Sequence, residues 1–189
     1  MRTGLFGGAF NPVHNGHMTV ARAAIESAKL DRLIFIPTGN APHKKETDIS
    51  REDRYNMLAA AIIDEEKMSV SDYELRRSQV NYSADTVEYF KALFPDDELF
   101  FIIGDDSYNQ LDTWHEPDRI LRNATLLVFP REGADIVPPA LEVSMEIVDI
   151  SSSDIREKIK MGKDCRNLLP KAVFDYIIKR NLYGLMDSV

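Results

Sequence analysis

The feature that most constrains this chain is the alternation of short, almost unbroken apolar runs with stretches whose apolar residues recur every three to four positions. Residues 98–103 (Glu-Leu-Phe-Phe-Ile-Ile) are nearly all apolar, as a strand covered on both faces must be. Residues 2–7, 32–36 and 125–129 read as further strands, the second stopped by Pro37, with a short strand at 68–71 and another candidate at 145–149. Helical patterns separate them. Residues 15–29 place Val20, Ala21, Ala24, Ile25 and Ala28 on one face. Residues 50–63 begin with Ser50 as N-cap and Asp53 as its capping-box-like partner; 83–94 begin with Ser83 as N-cap and stop at Pro95; 117–122 open with Pro117. Two more helices, at 152–161 and 170–180, close the chain. Strands alternating with helices predict an α/β fold: a doubly wound, mostly parallel sheet with helices on both faces. The expected layout is one domain over residues 1–189, with the sheet in 1–150 and a small C-terminal helical part in 151–189. Such sheets bind ligands at the carboxyl ends of the strands, where the strand order reverses. Each motif considered below is expected to fall just after a predicted strand.

Composition narrows the function classes. A net charge of −8 argues against a broad grip on nucleic acid, which needs a basic face. The cationic residues that could meet a small phosphorylated ligand are nonetheless clustered: His14, His17, His43, Lys44, Lys45 and Arg156. No apolar run approaches the roughly 20 residues of a membrane span, and no export signal is visible at the start. Cys165 is the only cysteine, so no intramolecular disulfide forms, and a cytoplasmic setting is the expectation. No Walker A or G-x-G-x-x-G turn occurs, and no obvious Ser-His-Asp set, Cys-His pair or zinc cluster. Homo-oligomer formation is left open.

The segment after the first strand is the richest. Gly7 and Gly8 remove Cβ atoms where backbone would approach a ligand, and Asn11-Pro12 signals a turn. His14 and His17 stand three apart across a helix start, so both imidazoles can face the same way, beside unpaired N–H groups and a partial positive charge. Each element alone could be a plain turn, a pair of surface histidines or metal ligands. Together they make an anion site sized for a polyphosphate.

Four later segments add to it. Residues 37–44 end a loop in His43-Lys44, able to set a cation over a phosphate or to be an exposed turn. Ser83 to Thr86 begin a helix, with Ser83 as a fitting N-cap and Thr86 three residues on. Gly104-Asp105-Asp106 puts carboxylates at the end of the most apolar strand, where a ribose hydroxyl pair, an Mg²⁺-bound water or solvent must meet them. Trp114 is the single tryptophan, available for packing or stacking. Residues 150–156 (Ile-Ser-Ser-Ser-Asp-Ile-Arg) offer hydroxyls, N–H groups and a bidentate guanidinium, or merely a capped helix.

His14-Asn15-Gly16-His17 meets the H-x-G-H pattern of the nucleotidylyltransferase superfamily, and the chain resembles the bacterial nicotinate-nucleotide adenylyltransferases from first strand to last helix. That resemblance implies a Rossmann-like core that joins the AMP part of ATP to nicotinate mononucleotide, with Mg²⁺ carried on the ATP phosphates. It implies ATP binding by Gly7, Gly8, Ala9, Phe10, His14, His17, Gly104, Asp106, Ser152, Ser153 and Arg156. It implies mononucleotide binding by Gly8, Asn40, Lys44, Thr86, Asp106, Trp114 and His115. His14, His17, Lys44 and Arg156 are the implied catalytic set, with His17 chiefly on the α-phosphate, His14 on the β,γ-phosphates and Trp114 stacked on the pyridine. Ala41 replaces the first proline of the family's P-P-H-K element, His115 stands where Tyr is frequent, and Ser153 takes a position often held by Thr. The rivals are pantetheine-phosphate adenylyltransferase, which typically has Thr in place of His14; a sister enzyme for nicotinamide mononucleotide; a non-catalytic nucleotide sensor; and an NAD-dependent oxidoreductase.

Overall fold

A computed structural model describes residues 1–40, 49–131 and 135–184. In chain order the elements are β1 (Arg2–Gly8), α1 (Asn15–Ser27), β2 (Arg32–Pro37), α2 (Arg51–Ala61), β3 (Met68–Val70), α3 (Ser83–Leu93), β4 (Glu98–Gly104), α4 (Asp105–Tyr108), α5 (Pro117–Asn123), β5 (Thr125–Phe129), β6 (Leu141–Glu142), α6 (Ser152–Lys160) and α7 (Lys171–Arg180). The strands form one sheet in the order β3-β2-β1-β4-β5-β6, and every pairing is parallel. This is the doubly wound order, with its reversal between β1 and β4.

Alternation along the strands divides the core into two. Phe6, Phe35, Phe100, Ile102 and Leu127 face one way and meet α1, α2, α6 and α7 through Ala21, Ala24, Met57, Leu58, Ile155 and Val173. Leu5, Ile34, Phe101, Ile103 and Val128 face the other way and meet α3 and α5 through Val87, Phe90 and Ile120. Both faces are covered, which is why the strands read as continuous apolar runs. The C-terminal helices α6 and α7 thus share a core with α1 and α2.

Local signals explain several element ends. Ser50 caps α2, its hydroxyl accepting from Asp53 N at 3.0 Å, and Ser151 caps α6, accepting from Asp154 N at 3.1 Å. Pro117 opens α5. Two expectations fail. Ser83 is the first residue of α3, and Tyr82 is its N-cap without a side-chain bond. The strand expected at 145–149 does not form; β6 lies earlier, at Leu141–Glu142, beside Leu127 and Val128. Two of the apolar residues that prompted that expectation serve elsewhere: Met145 and Val148 wall the cavity, and Ile147 is exposed. Ser144 N donates to Ser27 Oγ at 3.2 Å, fixing this stretch to the end of α1.

Candidate active site

A cavity of about 1040 Å³ opens at the carboxyl ends of β1 and β4, where the strand order reverses. Its floor is formed by Gly7, Gly8 and Gly104 at the strand ends. Gly8 is needed for a local reason: a Cβ there would lie 2.9 Å from the Phe10 ring. Phe10 turns back under the loop with φ 45°, a left-handed conformation costly for a side-chain-bearing residue. Its ring is fully buried edge-on against Phe6 (5.6 Å) and Phe35 (5.5 Å), which offsets the strain.

The two histidines line the cavity together. His14 is the N-cap of α1 and His17 its third residue, with ring centroids 3.7 Å apart. His14 N donates to His17 Nδ1 at 3.2 Å. His17 Nδ1 is therefore an acceptor, and the proton of the neutral ring sits on Nε2, leaving that N–H as a donor. Burial, reinforced by the Arg131 charge, lowers the His14 pKa to about 4. Burial, then His14, then Arg131 push His17 well below its usual value. Both rings are thus neutral at physiological pH. His14 Nδ1 is buried without a partner. The first turn of α1 contains no acidic residue, so nothing negative competes for its N–H groups.

The loop between β1 and α1 is held from behind by its acceptors. Arg54 Nη1 donates to Ala9 O at 3.0 Å, Arg156 Nη1 to Asn11 O at 2.8 Å and Ser152 Oγ to Pro12 O at 2.9 Å. The buried Tyr183 hydroxyl donates to Asn11 Oδ1 at 2.7 Å. Three distant parts of the chain therefore draw these carbonyls toward the protein. This contact brings the late serine-arginine turn against the early histidine segment.

The other end of the cavity is built by α3 and the turn before α5. Tyr82, Ser83 and Thr86 line it together with Trp114, His115 and Glu116. Thr86 N donates to Tyr82 O at 3.2 Å, so the free N–H groups of this helix start belong to Ser83, Ala84 and Asp85. The Thr86 hydroxyl donates to Glu74 Oε1 at 2.8 Å. Trp114 is half-buried and meets Phe101 edge-on at 6.4 Å. In the cavity wall, Asp106 Oδ2 accepts from Arg131 Nη1 at 3.1 Å while its Oδ1 is buried without a partner. Gly104 permits that placement, since a Cβ would lie 2.4 Å from Asp106 Oδ1. Among the described residues no group of three His, Cys, Asp or Glu side chains could hold a metal ion.

The cytidylyltransferase-like family model matches residues 5–158. A relative from Shouchella clausii named "Probable nicotinate-nucleotide adenylyltransferase" is 42% identical over 186 residues, covering 97% of each chain. One of the same name from Thermus thermophilus is 40% identical over 186 residues, covering 97% of this chain and 100% of the relative. The chain belongs to the nicotinate-nucleotide adenylyltransferase family. Its fold matches the Plasmodium falciparum nicotinic acid mononucleotide adenylyltransferase complexed with NaAD, with a TM-score of 0.83 at 20% identity over 98% of both chains.

Against the family's expected residues, the cavity is lined by Gly7, Gly8, Ala9, Phe10, His14, His17, Thr86, Gly104, Asp106, Trp114, His115 and Ser152. Ser153 and Arg156 sit just outside it on the first turns of α6, where Arg156 Nη2 donates to Ser153 Oγ at 3.2 Å. Asn40 is also beside rather than in the cavity. Its N donates to Asn81 Oδ1 at 3.0 Å, its Nδ2 to Ser78 O at 2.7 Å, and its Oδ1 accepts from Arg51 Nη2. Lys44, with His43, lies outside the described residues. Three residues of this family member escaped the sequence reading. Arg131 lines the cavity after β5, but a lone arginine after a strand reads as surface. Glu74 lines it at 8% exposure, and burial raises its carboxyl's pKa despite bonds from Thr86 and Gly39. Arg54 is buried behind Ala9 and looks in the sequence like any helix-surface cation.

Proposed function

We propose that the chain transfers the adenylyl group of ATP to nicotinate mononucleotide, yielding nicotinate adenine dinucleotide and pyrophosphate for NAD biosynthesis in the cytoplasm. The observation that carries this reading is one cavity that joins the His14–His17 pair at the start of α1 to Trp114 and the start of α3. The first suits a triphosphate. The second suits a planar ring bearing a carboxylate, which N–H donors recognise and an amide would need an acceptor to match. A volume of about 1040 Å³ also reaches the top of the roughly 300–1,000 Å³ range of single-ligand pockets, as two substrates require.

The chemistry needs alignment more than proton transfer. A phosphomonoester has a second pKa of about 6, so the attacking phosphate is already largely dianionic and needs no general base. It attacks the α-phosphorus in line, its oxygen forming the new P–O bond as the bond to pyrophosphate breaks. In this reading His17 Nε2–H donates to the α-phosphate, and His14 with the α1 N–H groups to the β,γ-phosphates, as the resemblance implies. Arg156 has five N–H donors, of which two are engaged by Asn11 and Ser153, leaving others for the leaving group. Lys44 is assigned to phosphate by resemblance alone. Mg²⁺ belongs to this proposal as a companion of the triphosphate, and the unpartnered Asp106 Oδ1 suits a ribose hydroxyl or a water on that ion. The test is pyrophosphate release from Mg-ATP with nicotinate or nicotinamide mononucleotide at equal concentration. The reading expects release that depends on the mononucleotide and favours the acid. Release without any mononucleotide, or preference for the amide, would overturn it.

A further inference from the structure

We infer that Arg119, which lines no part of the cavity, is a positioning residue for the mononucleotide: it ties the Trp114–Glu116 turn to the start of α3, fixing the spacing between aromatic wall and helix N-terminus. The inference rests on the assignment of the pyridine to this end of the cavity. Arg119 sits on α5 and is surrounded by three carboxylates from two sides. Its Nε donates to Glu88 Oε1 at 2.9 Å and its Nη2 to Asp85 Oδ1 at 2.9 Å and to the second Glu88 oxygen, all on α3. Its Nη1 donates to Glu116 Oε2 at 2.6 Å. Glu116 in turn meets His115 Nε2 at 3.1 Å, and the His115 ring lies over Tyr82, the N-cap of α3, with centroids 4.0 Å apart. The connections close a circuit around the rim: α3, Arg119, Glu116, His115 and back to α3.

Glu116 occupies this circuit at φ 49°, a left-handed conformation unfavourable for glutamate, so an interaction must hold it there. Isolated surface ion pairs contribute little, but a bidentate guanidinium within a network of three carboxylates is the exception. Without the guanidinium the sign of the contact reverses. Asp85 and Glu88 would face Glu116 as like charges, pushing α3 and the Trp114 turn apart. The histidine end of the cavity is built by β1, α1 and α6 and makes no use of Arg119. Its loss therefore acts on one substrate and not the other.

Trp114 is the only tryptophan, so its fluorescence reports on this wall alone. The experiment compares wild type with Arg119→Met, Arg119→Lys, Glu116→Met and the double variant Arg119→Met/Glu116→Met. Expected for Arg119→Met is a KM for nicotinate mononucleotide raised about tenfold, a KM for ATP within about twofold, and readier acrylamide quenching of Trp114. Arg119→Lys should restore part of the loss. The double variant should be no worse than Arg119→Met alone, because both remove one connection. Should Arg119→Met fail to fold, Glu116→Met at the exposed rim gives the same split. Equal rises in both KM values, or an unchanged mononucleotide KM in Glu116→Met, would overturn the inference while an active wild type keeps the proposed function. A wild type that transfers no AMP to the mononucleotide would remove both.

Discussion

His17 shows how much one residue's bonding decides. Because its Nδ1 accepts the His14 N–H, Nε2 is the donor, and because the ring is neutral it offers one hydrogen bond rather than a charge. Replacing it with alanine should lower turnover by more than about tenfold, the scale of losing one aligned donor to a reacting phosphate, with an unchanged circular dichroism spectrum. Near-normal turnover would defeat that role. His14 makes a pH prediction. Its pKa falls from 6.5 when unfolded to about 4 when folded. Between those values the unfolded chain binds the extra proton, so the stability that neutral His14 supports is complete above pH 6.5 and is lost progressively down to about 4. The loss is on the order of 3 kcal/mol at its limit. Denaturant melts at pH 7 and 4.5 should show His14→Asn losing less stability than wild type. Equal losses would show that the imidazole does not titrate this way.

At the scale of elements, the sheet separates stability from chemistry. Asp97, just before β4, lies at the end opposite the cavity. It accepts from Thr3 Oγ1 at 2.6 Å, Arg32 Nη2 at 2.7 Å and the amino terminus at 3.2 Å. The Thr3 bond first, then Arg32 and the terminus, outweigh burial and hold its carboxyl down to about 2. Asp97→Ala strands these donors and should lower stability by about 2 kcal/mol while kcat/KM stays within about twofold. Urea melts and steady-state assays check both, and a large fall in kcat/KM of the folded variant would contradict the separation. These elements also show what was legible. β1, β2, β4 and β5 announced themselves because both faces are buried, and Ser50 and Pro117 because capping is local chemistry. Ser83 misled because its hydroxyl sits one residue inside the helix, a shift that composition does not encode. Residues 145–149 misled because Met145 and Val148, apolar residues that line the cavity, look in the sequence like residues of a strand. The two residues of β6 follow Pro138-Pro139 and are exposed, so no pattern marked them.

At the scale of the molecule, the site is a meeting of segments far apart in the chain, drawn together at the reversal of strand order. Its glycines and histidines were readable because they end a strand or open a helix, whereas Trp114 was readable only through the family resemblance. Arg54, Arg131 and Glu74 were not, because their roles depend on what the fold sets beside them. The sequence offers Arg156 as a phosphate ligand; in the fold it holds the loop carbonyl of Asn11. The most direct test is a crystal structure of the wild-type protein with nicotinate mononucleotide and a non-hydrolysable ATP analogue. The account predicts the α-phosphate against His17 Nε2, the pyridine on Trp114 with its carboxylate at the Ser83–Asp85 N–H groups, and the mononucleotide phosphate in line with the α-phosphorus. A mononucleotide bound away from Trp114, or a triphosphate that does not touch the histidine pair, would contradict it.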